Sequence, residues 1–203
     1  MARYLGASCR RCRTSGEKLY LKGDKCYTNK CAVTRRKSKP GAAGKSSRQK
    51  ISEYAVQLRE KQKLKYMYGL LEAQFYNYFK EATSKQGVTG DVLLQLLERR
   101  LDNVIYRTGI AKSRNQARQF VRHGHVLIGG RRVDIPSYRI RSGEELSFSK
   151  DIELAKENVK SSAVPQWLEL DKEGLKIKVL DLPNKEAIDY DINVQLVVEF
   201  YSR

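Results

Sequence analysis

Four cysteines, all within residues 9–31, constrain this chain more than any other feature. Cys9 and Cys12 are spaced C-x2-C, thirteen residues follow, and Cys26 and Cys31 close the set as C-x4-C. The segment they bracket has too few apolar residues for a core of its own, so a cross-link is expected to hold it. Two thiolates two residues apart can close one side of a tetrahedral ion and a second close pair completes it, a soft and redox-quiet set that suits Zn2+. The second pair is looser than C-x-x-C and the loop slightly shorter than the common zinc-ribbon spacing. An iron–sulfur cluster, a redox pair at Cys9 and Cys12, and four unligated thiols therefore stay open. A disulfide framework is the weaker reading, because the opening residues lack the apolar segment of a secretory signal and cytosolic thiols stay reduced. Four protein ligands would leave no open coordination position, so an ion held here is expected to be structural.

The side chains crowded among those cysteines are cationic. Of the 40 Lys and Arg in the chain, set against 23 Asp and Glu for a formal charge of +17, residues 1–50 hold 15 basic and only 2 acidic side chains. Four thiolates with Zn2+ sum to −2, which would lower that segment from +13 to about +11. It would remain a cationic knob presenting Arg10, Arg11, Arg13, Lys18, Lys22 and Lys25 to phosphates. A second cationic maximum lies in residues 101–150, with 10 basic and 4 acidic side chains, whereas residues 151–203 are net negative with 7 and 11. Two basic modules in one chain point to a nucleic acid partner. No apolar run approaches the ~18 residues of a membrane span, so a cytoplasmic protein without a membrane partner is expected.

The connecting stretch Thr34–Lys50, which includes Arg35, Arg36 and Lys45, is rich in Lys, Arg, Gly and Ser and offers almost nothing to bury. It is expected to be disordered alone and to lie along an RNA backbone when one is bound. Ile51, Tyr54, Ala55 and Leu58 then repeat at helical spacing ahead of the basic run Arg59, Lys61, Lys63 and Lys65. That run is a candidate phosphate contact, and its bland reading is a solvated helix end. Leu71, Phe75, Tyr78 and Phe79 form an aromatic stripe that reads as core rather than as a base-stacking platform, and Val92, Leu93, Leu96, Leu97 and Leu101 mark a further helix.

The segment SRNQARQFVRHGHVLIGGRRV is the most informative after the cysteines. Ser113 with Gln116 makes a capping box that starts a helix, and Gly124 suits the left-handed position that ends one. Along that helix Arg114, Arg118 and Arg122 fall four apart and share one side. Beyond it, Gly129-Gly130 suits a tight hairpin between His125–Ile128 and Arg131–Val133. No acidic residue stands between Arg107 and Arg132, so Arg107, Lys112, the three helix arginines, Arg131 and Arg132 are expected to face phosphates. His123 and His125 flank the glycine with no carboxylate near in sequence, which favours a nucleic-acid contact or a structural role over acid–base catalysis.

At these residues a family resemblance emerges. LLERRLDNVIYRTGIAKSRNQARQFVRHGHVLIGGRRVDIPSYRIRSGEEL resembles the RNA-binding module named after the fourth protein of the small ribosomal subunit. SEYAVQLREKQKLKYMYG, the opening ARYLG and the ending NVQLVVEFYSR resemble that ribosomal protein family in its bacterial form. The resemblance implies primary binding to small-subunit (16S) ribosomal RNA early in assembly, a neighbour in the fifth small-subunit protein, a part in translational accuracy, and a place near where messenger RNA enters. It matches the cysteines to the zinc-keeping subset of the family, and it counts Tyr138, within the quoted stretch, among the RNA-facing residues. Two departures stand out. Gly129-Gly130 replaces the Asn-Gly common in the hairpin turn, and GAAG at 41–44 replaces a frequent Gln-His.

The implied architecture is α+β: a basic zinc-knuckle extension over 1–50, a helical domain over 51–92 and 155–203 that includes C-terminal strands, and an inserted helix-plus-hairpin RNA-binding module over 93–154. Similar modules stand at the front of some pseudouridine synthases and tyrosyl-tRNA synthetases, which makes an RNA-modifying enzyme the competing class. Such enzymes need a sizeable catalytic domain. Residues 151–203 read instead as alternating strands (Leu175, Ile177, Val179; Ile192, Val194, Leu196), and no G-x-S-x-G, P-loop or dinucleotide fingerprint occurs. No catalytic residue and no small-molecule substrate are expected. A free RNA-binding repressor of its own messenger RNA is the remaining alternative.

Overall fold

The computed structural model describes residues 3–36, 38–41, 51–149, 164–171, 175–184 and 192–203. Two compact units divide the chain: residues 1–90 with 190–203, and residues 91–189 between them.

The first unit is helical where it is described. α1 (Ser8–Ser15) ends at Gly16, whose φ of +82° lets its N–H return to the Cys12 carbonyl. A 3-10 turn (Gly23–Cys26) and α2 (Ala32–Arg35) complete the cysteine segment. Leu19 is buried there beside Cys12, Cys26 and Cys31, a very small apolar set. α3 (Glu53–Met67) starts at Ser52, whose hydroxyl accepts from the Ala55 N–H, and α4 (Glu72–Ser84) follows. α5 (Thr89–Glu98) begins in this unit and runs into the second.

The final helix, α8 (Val194–Tyr201), is a correction, since Ile192, Val194 and Leu196 read as a strand in the sequence. β-branched composition misled there. Asn193 accepts from the Leu196 N–H as a cap, and Val197 is fully buried where α8 packs along α3. The aromatic stripe is core: Phe75, Tyr78 and Phe79 are buried, and the Phe79 and Phe75 rings lie 4.6 and 6.2 Å from that of Tyr201 on α8. By contrast Ile51 and Tyr54 stay exposed, and α3 turns Leu64 and Met67 inward.

The second unit is a mixed helix and antiparallel sheet. α6 (Leu101–Arg107) and α7 (Arg114–Arg122) pack on each other, followed by β1 (Val126–Ile128), β2 (Arg131–Arg132), β3 (Glu145–Phe148), β4 (Leu168–Asp171) and β5 (Lys176–Val179). The strands lie in the order β2-β1-β3-β5-β4, every neighbouring pair antiparallel. Leu146 and Ile177 sit opposite each other and both are fully buried. Thus β5, placed in the sequence reading with the helical domain, and β4, which that reading does not identify as a strand, extend the sheet of the module instead. One core gathers Leu101, Val104, Ile105, Ala117, Val121, Val126, Leu146, Trp167, Ile177 and Val179 from both helices and the sheet. Burying those side chains, at about 1.5–3 kcal/mol for each large one, fixes α7 against the hairpin.

Candidate nucleic-acid interface

α7 is built as its sequence dictates. The Ser113 hydroxyl accepts from the Gln116 N–H at 3.3 Å, while the Gln116 side chain accepts from the Lys112 N–H at 2.8 Å, one residue earlier than a standard capping box requires. At the other end Gly124 takes φ +72°, and a Cβ there would overlap the Arg132 guanidinium. Arg132 uses that space to donate to the His123 carbonyl at 2.7 Å, which ties the hairpin to the end of the helix. Gly129 and Gly130 have φ of +54° and +79°, the pair of left-handed residues that a two-residue turn between β1 and β2 needs.

The arginines of α7 do not share one fate. Arg122 is exposed, Arg114 is half-buried, and Arg118 is 7% exposed with its guanidinium 3.4 Å from Asp102. Arg100, 1% exposed, holds the same carboxylate in a two-pronged pair at 3.0 and 2.8 Å. Glu98, also 1% exposed, accepts from Arg107 through both oxygens at 2.9 Å and from the Asn103 amide at 2.8 Å. Asn103 in turn accepts from Arg114 Nε at 2.8 Å, and that guanidinium lies 4.3 Å over the Tyr106 ring. The acid-free stretch of sequence is therefore not acid-free in space. Glu98 and Asp102, from just upstream, engage Arg107 and Arg118, so these two guanidiniums are paired with carboxylates in the free chain.

What the unit presents outward is Lys112, Arg122, His123, Arg131 and Arg132, all exposed. His125 is half-buried, its ring edge-on to Phe120 at 6.5 Å, with Nδ1 3.5 Å from the Ser149 hydroxyl. Tyr138 donates to Glu144 at 2.9 Å, and burial together with that carboxylate pushes its phenol up.

In the first unit the basic run of α3 is more deeply buried. Lys61, Lys63 and Lys65 are 4, 5 and 9% exposed. Lys61 and Lys65 each reach Glu72 at 2.6 Å, and Lys63 reaches Glu17 at 2.7 Å, so these cations hold α3 to the start of α4 and to the turn after α1. Arg59 is half-buried. Burial alone would raise the Glu72 carboxyl. Hydrogen bonds from Lys61, Lys65 and the Tyr201 hydroxyl outweigh it and hold the group down at about 2. The same carboxylate, with burial as the larger cause, pushes the Tyr201 phenol up. Arg11 is likewise committed inward, its guanidinium 3.6 Å over the Tyr4 ring and 4.3 Å over that of Tyr66. Arg10, Lys22, Arg35 and Arg36 are exposed, while Lys45 lies outside the described residues.

All four cysteines are free thiols, three of them buried and Cys9 half-buried. Burial pushes the Cys12 and Cys26 thiols up, against backbone N–H donors from Leu19 and Lys22. At Cys31 burial is outweighed by the N–H groups of Val33 and Thr34 and by Lys18, and its thiol moves down. Among the described residues no three His, Cys, Asp or Glu side chains are gathered as a metal-binding group. The donor set fits zinc in kind, four soft ligands with N–H groups turned toward three of the sulfurs, and their placement does not by itself draw a coordination shell.

A capped helix locked to a two-glycine hairpin, with cations on its outer end, defines the class of proteins built around an S4 RNA-binding domain. Residues 99–146 match the family described as "S4 domain", and residues 3–98 match "Ribosomal protein S4/S9 N-terminal domain". The relative named small ribosomal subunit protein uS4 from Thermus thermophilus is 54% identical over 209 residues, covering 100% of both chains. Small ribosomal subunit protein uS4A of Symbiobacterium thermophilum is 53% identical over 208 residues, and uS4 of Desulfotalea psychrophila 52% over 209, each again covering 100% of both chains. The chain belongs to the uS4 family of ribosomal proteins, a structural and non-enzymatic family.

Proposed function

We propose that this chain is a structural component of the small ribosomal subunit in the cytoplasm, a primary binder of 16S ribosomal RNA that helps nucleate subunit assembly. The observation that carries this reading is the outward set Lys112, Arg122, Arg131 and Arg132 on a helix and hairpin fixed by a buried core. Rigid cations dispersed over a surface match phosphates at set positions and read RNA shape rather than base edges. Full-length identity to proteins named as small-subunit components supports the same assignment. Contact with the fifth small-subunit protein, and with it a contribution to accuracy, follows from the family reading.

Cys9, Cys12, Cys26 and Cys31 would hold Zn2+ as a closed, structural site whose role is to keep the cationic segment folded. The chain's own part in that site is to turn backbone N–H groups toward three of the sulfurs. Reconstitution tests the function directly: purified chain should remain with small subunits through a high-salt wash and bind a 16S fragment in isolation. Recovery only in the free pool would overturn the assignment. Metal analysis by mass spectrometry should find one zinc per chain, and RNA affinity should fall on chelation. A metal-free chain with full affinity would remove zinc from the account.

A further inference from the structure

The cysteine segment contains a concave site that dispersed backbone binding does not use up. A groove of about 470 Å3 is walled by Arg10 and Arg13 from α1, Lys25 from the 3-10 turn, Lys30 just before α2, and Arg35 and Arg36 at its end. The remaining lining is small or apolar: Ala7, Cys9, Ala32, Pro40 and Gly41. Among the described residues, none of the lining is acidic. This is the reverse of the α6–α7 region, where each buried guanidinium meets a carboxylate or an amide oxygen. The far wall is built rather than incidental. Arg13 donates to the Ser38 carbonyl at 3.1 and 3.0 Å and to that of Lys39 at 3.2 Å, which curls residues 38–41 over the groove.

Six like charges around one concavity repel one another, and the described wall sets against them only the sulfur of Cys9, so an anion of high charge density is what relieves the repulsion. A flat surface suffices for phosphates spaced along an extended strand. A concavity with cations on several walls suits phosphates brought close together. We propose that this groove is a convergent-phosphate site, taking two or more closely spaced phosphates from one polyanion. The source is either a sharp bend in the bound RNA strand or a free nucleoside di- or triphosphate. The first source rests on the RNA-binding function proposed above; the second does not.

The test uses the full chain, zinc-replete, with pyrophosphate as the probe and sulfate at matched ionic strength as the control. Calorimetry should show one pyrophosphate per chain bound more tightly than sulfate. The Arg10→Gln/Arg35→Gln variant should lose that preference, and the Arg10→Lys/Arg35→Lys variant, which keeps the charge, should retain most of it. An unchanged melting temperature checks that each variant is folded. With a 16S fragment, the Gln variant should show a log affinity against log salt slope shallower by about 1.4, the value for two lost contacts to a single strand. Pyrophosphate that displaces the RNA identifies the bend as the source; pyrophosphate that binds without displacing it identifies the free polyphosphate. Absence of a stoichiometric pyrophosphate site, or equal preference for sulfate, overturns the groove while leaving RNA binding elsewhere intact. A chain that binds pyrophosphate here but no 16S fragment sinks the ribosomal reading and spares the groove.

Discussion

The cysteine segment and the α6–α7 region are both arginine-rich, yet they manage positive charge in opposite ways. Around α6 and α7 the guanidiniums of Arg100, Arg107 and Arg118 are drawn inward onto Asp102 and Glu98, and the pairs lock the helices in register. In the cysteine segment Arg10, Lys25, Lys30, Arg35 and Arg36 stand exposed around a groove with no acid among the described residues of its wall. Net charge counts cations without telling which of them are available. A buried guanidinium with a carboxylate is part of the scaffold, because stripping it of its partner leaves a charge in low dielectric.

The sharpest way to break this contrast is to remove a partner. Asp102→Ala should cost about 3–5 kcal/mol, because it removes the carboxylate paired with Arg100 at 1% exposure, whereas Arg36→Gln in the exposed set should change stability by no more than about 0.5 kcal/mol. Denaturant unfolding of both variants checks this. Equal effects would mean that the burial contrast has no energetic content.

Acid should act next, through Glu72 in the first turn of α4, where the helix dipole also favours a carboxylate. Its carboxyl is lowered from 4.5 to about 2 in the folded chain, so its contribution is fully present above pH 4.5 and is lost as pH falls toward 2. Glu72→Gln should therefore be less stable than the wild type at pH 7, and the gap should close as pH drops through that window. A gap independent of pH would show that the Lys61, Lys65 and Tyr201 contacts do not depend on the charge.

Within α7 the two regimes meet on one helix. Arg118→Gln should destabilise by about 1–3 kcal/mol through loss of the Asp102 contact. Arg122→Gln should leave the melting temperature in place and weaken binding to all RNA sequences alike. The smallest effect should come from Gly129→Asn: with φ +54° and open space at its Cβ, it should stabilise by about 0.5 kcal/mol in thermal unfolding.

These particulars mark how far the sequence alone reaches. Local signals carried well. The Ser113 cap, the Gly124 stop, the Gly129-Gly130 turn, the leucines of α5 and the Phe75–Phe79 stripe all depend on residues within a few positions of each other, and all stand in the structure. Signals that depend on partners across helices did not. Nothing in a run of lysines says that Glu72, 7 to 11 residues onward, will take two of them, or that Glu17 will take Lys63. Val194–Tyr201 failed for a different reason: five of its eight residues are β-branched or aromatic, and only the Asn193 cap and the docking of α8 on α3 select helix. The strand β5 is legible from Leu175, Ile177 and Val179, β4 is not read in the sequence at all, and the sheet that both join is decided by pairing of β5 with β3 and of β4 with β5.

On this reading exposed cations, not the whole basic count, hold the RNA. The most direct measurement is the salt dependence of affinity for a 16S fragment, compared between the wild type and the Arg122→Gln/Arg131→Gln/Arg132→Gln variant. The wild type should give a steep line and the variant a line shallower by about 2, with matching melting temperatures. Superimposable lines from a folded variant would contradict it and move the RNA contact to another face of the molecule.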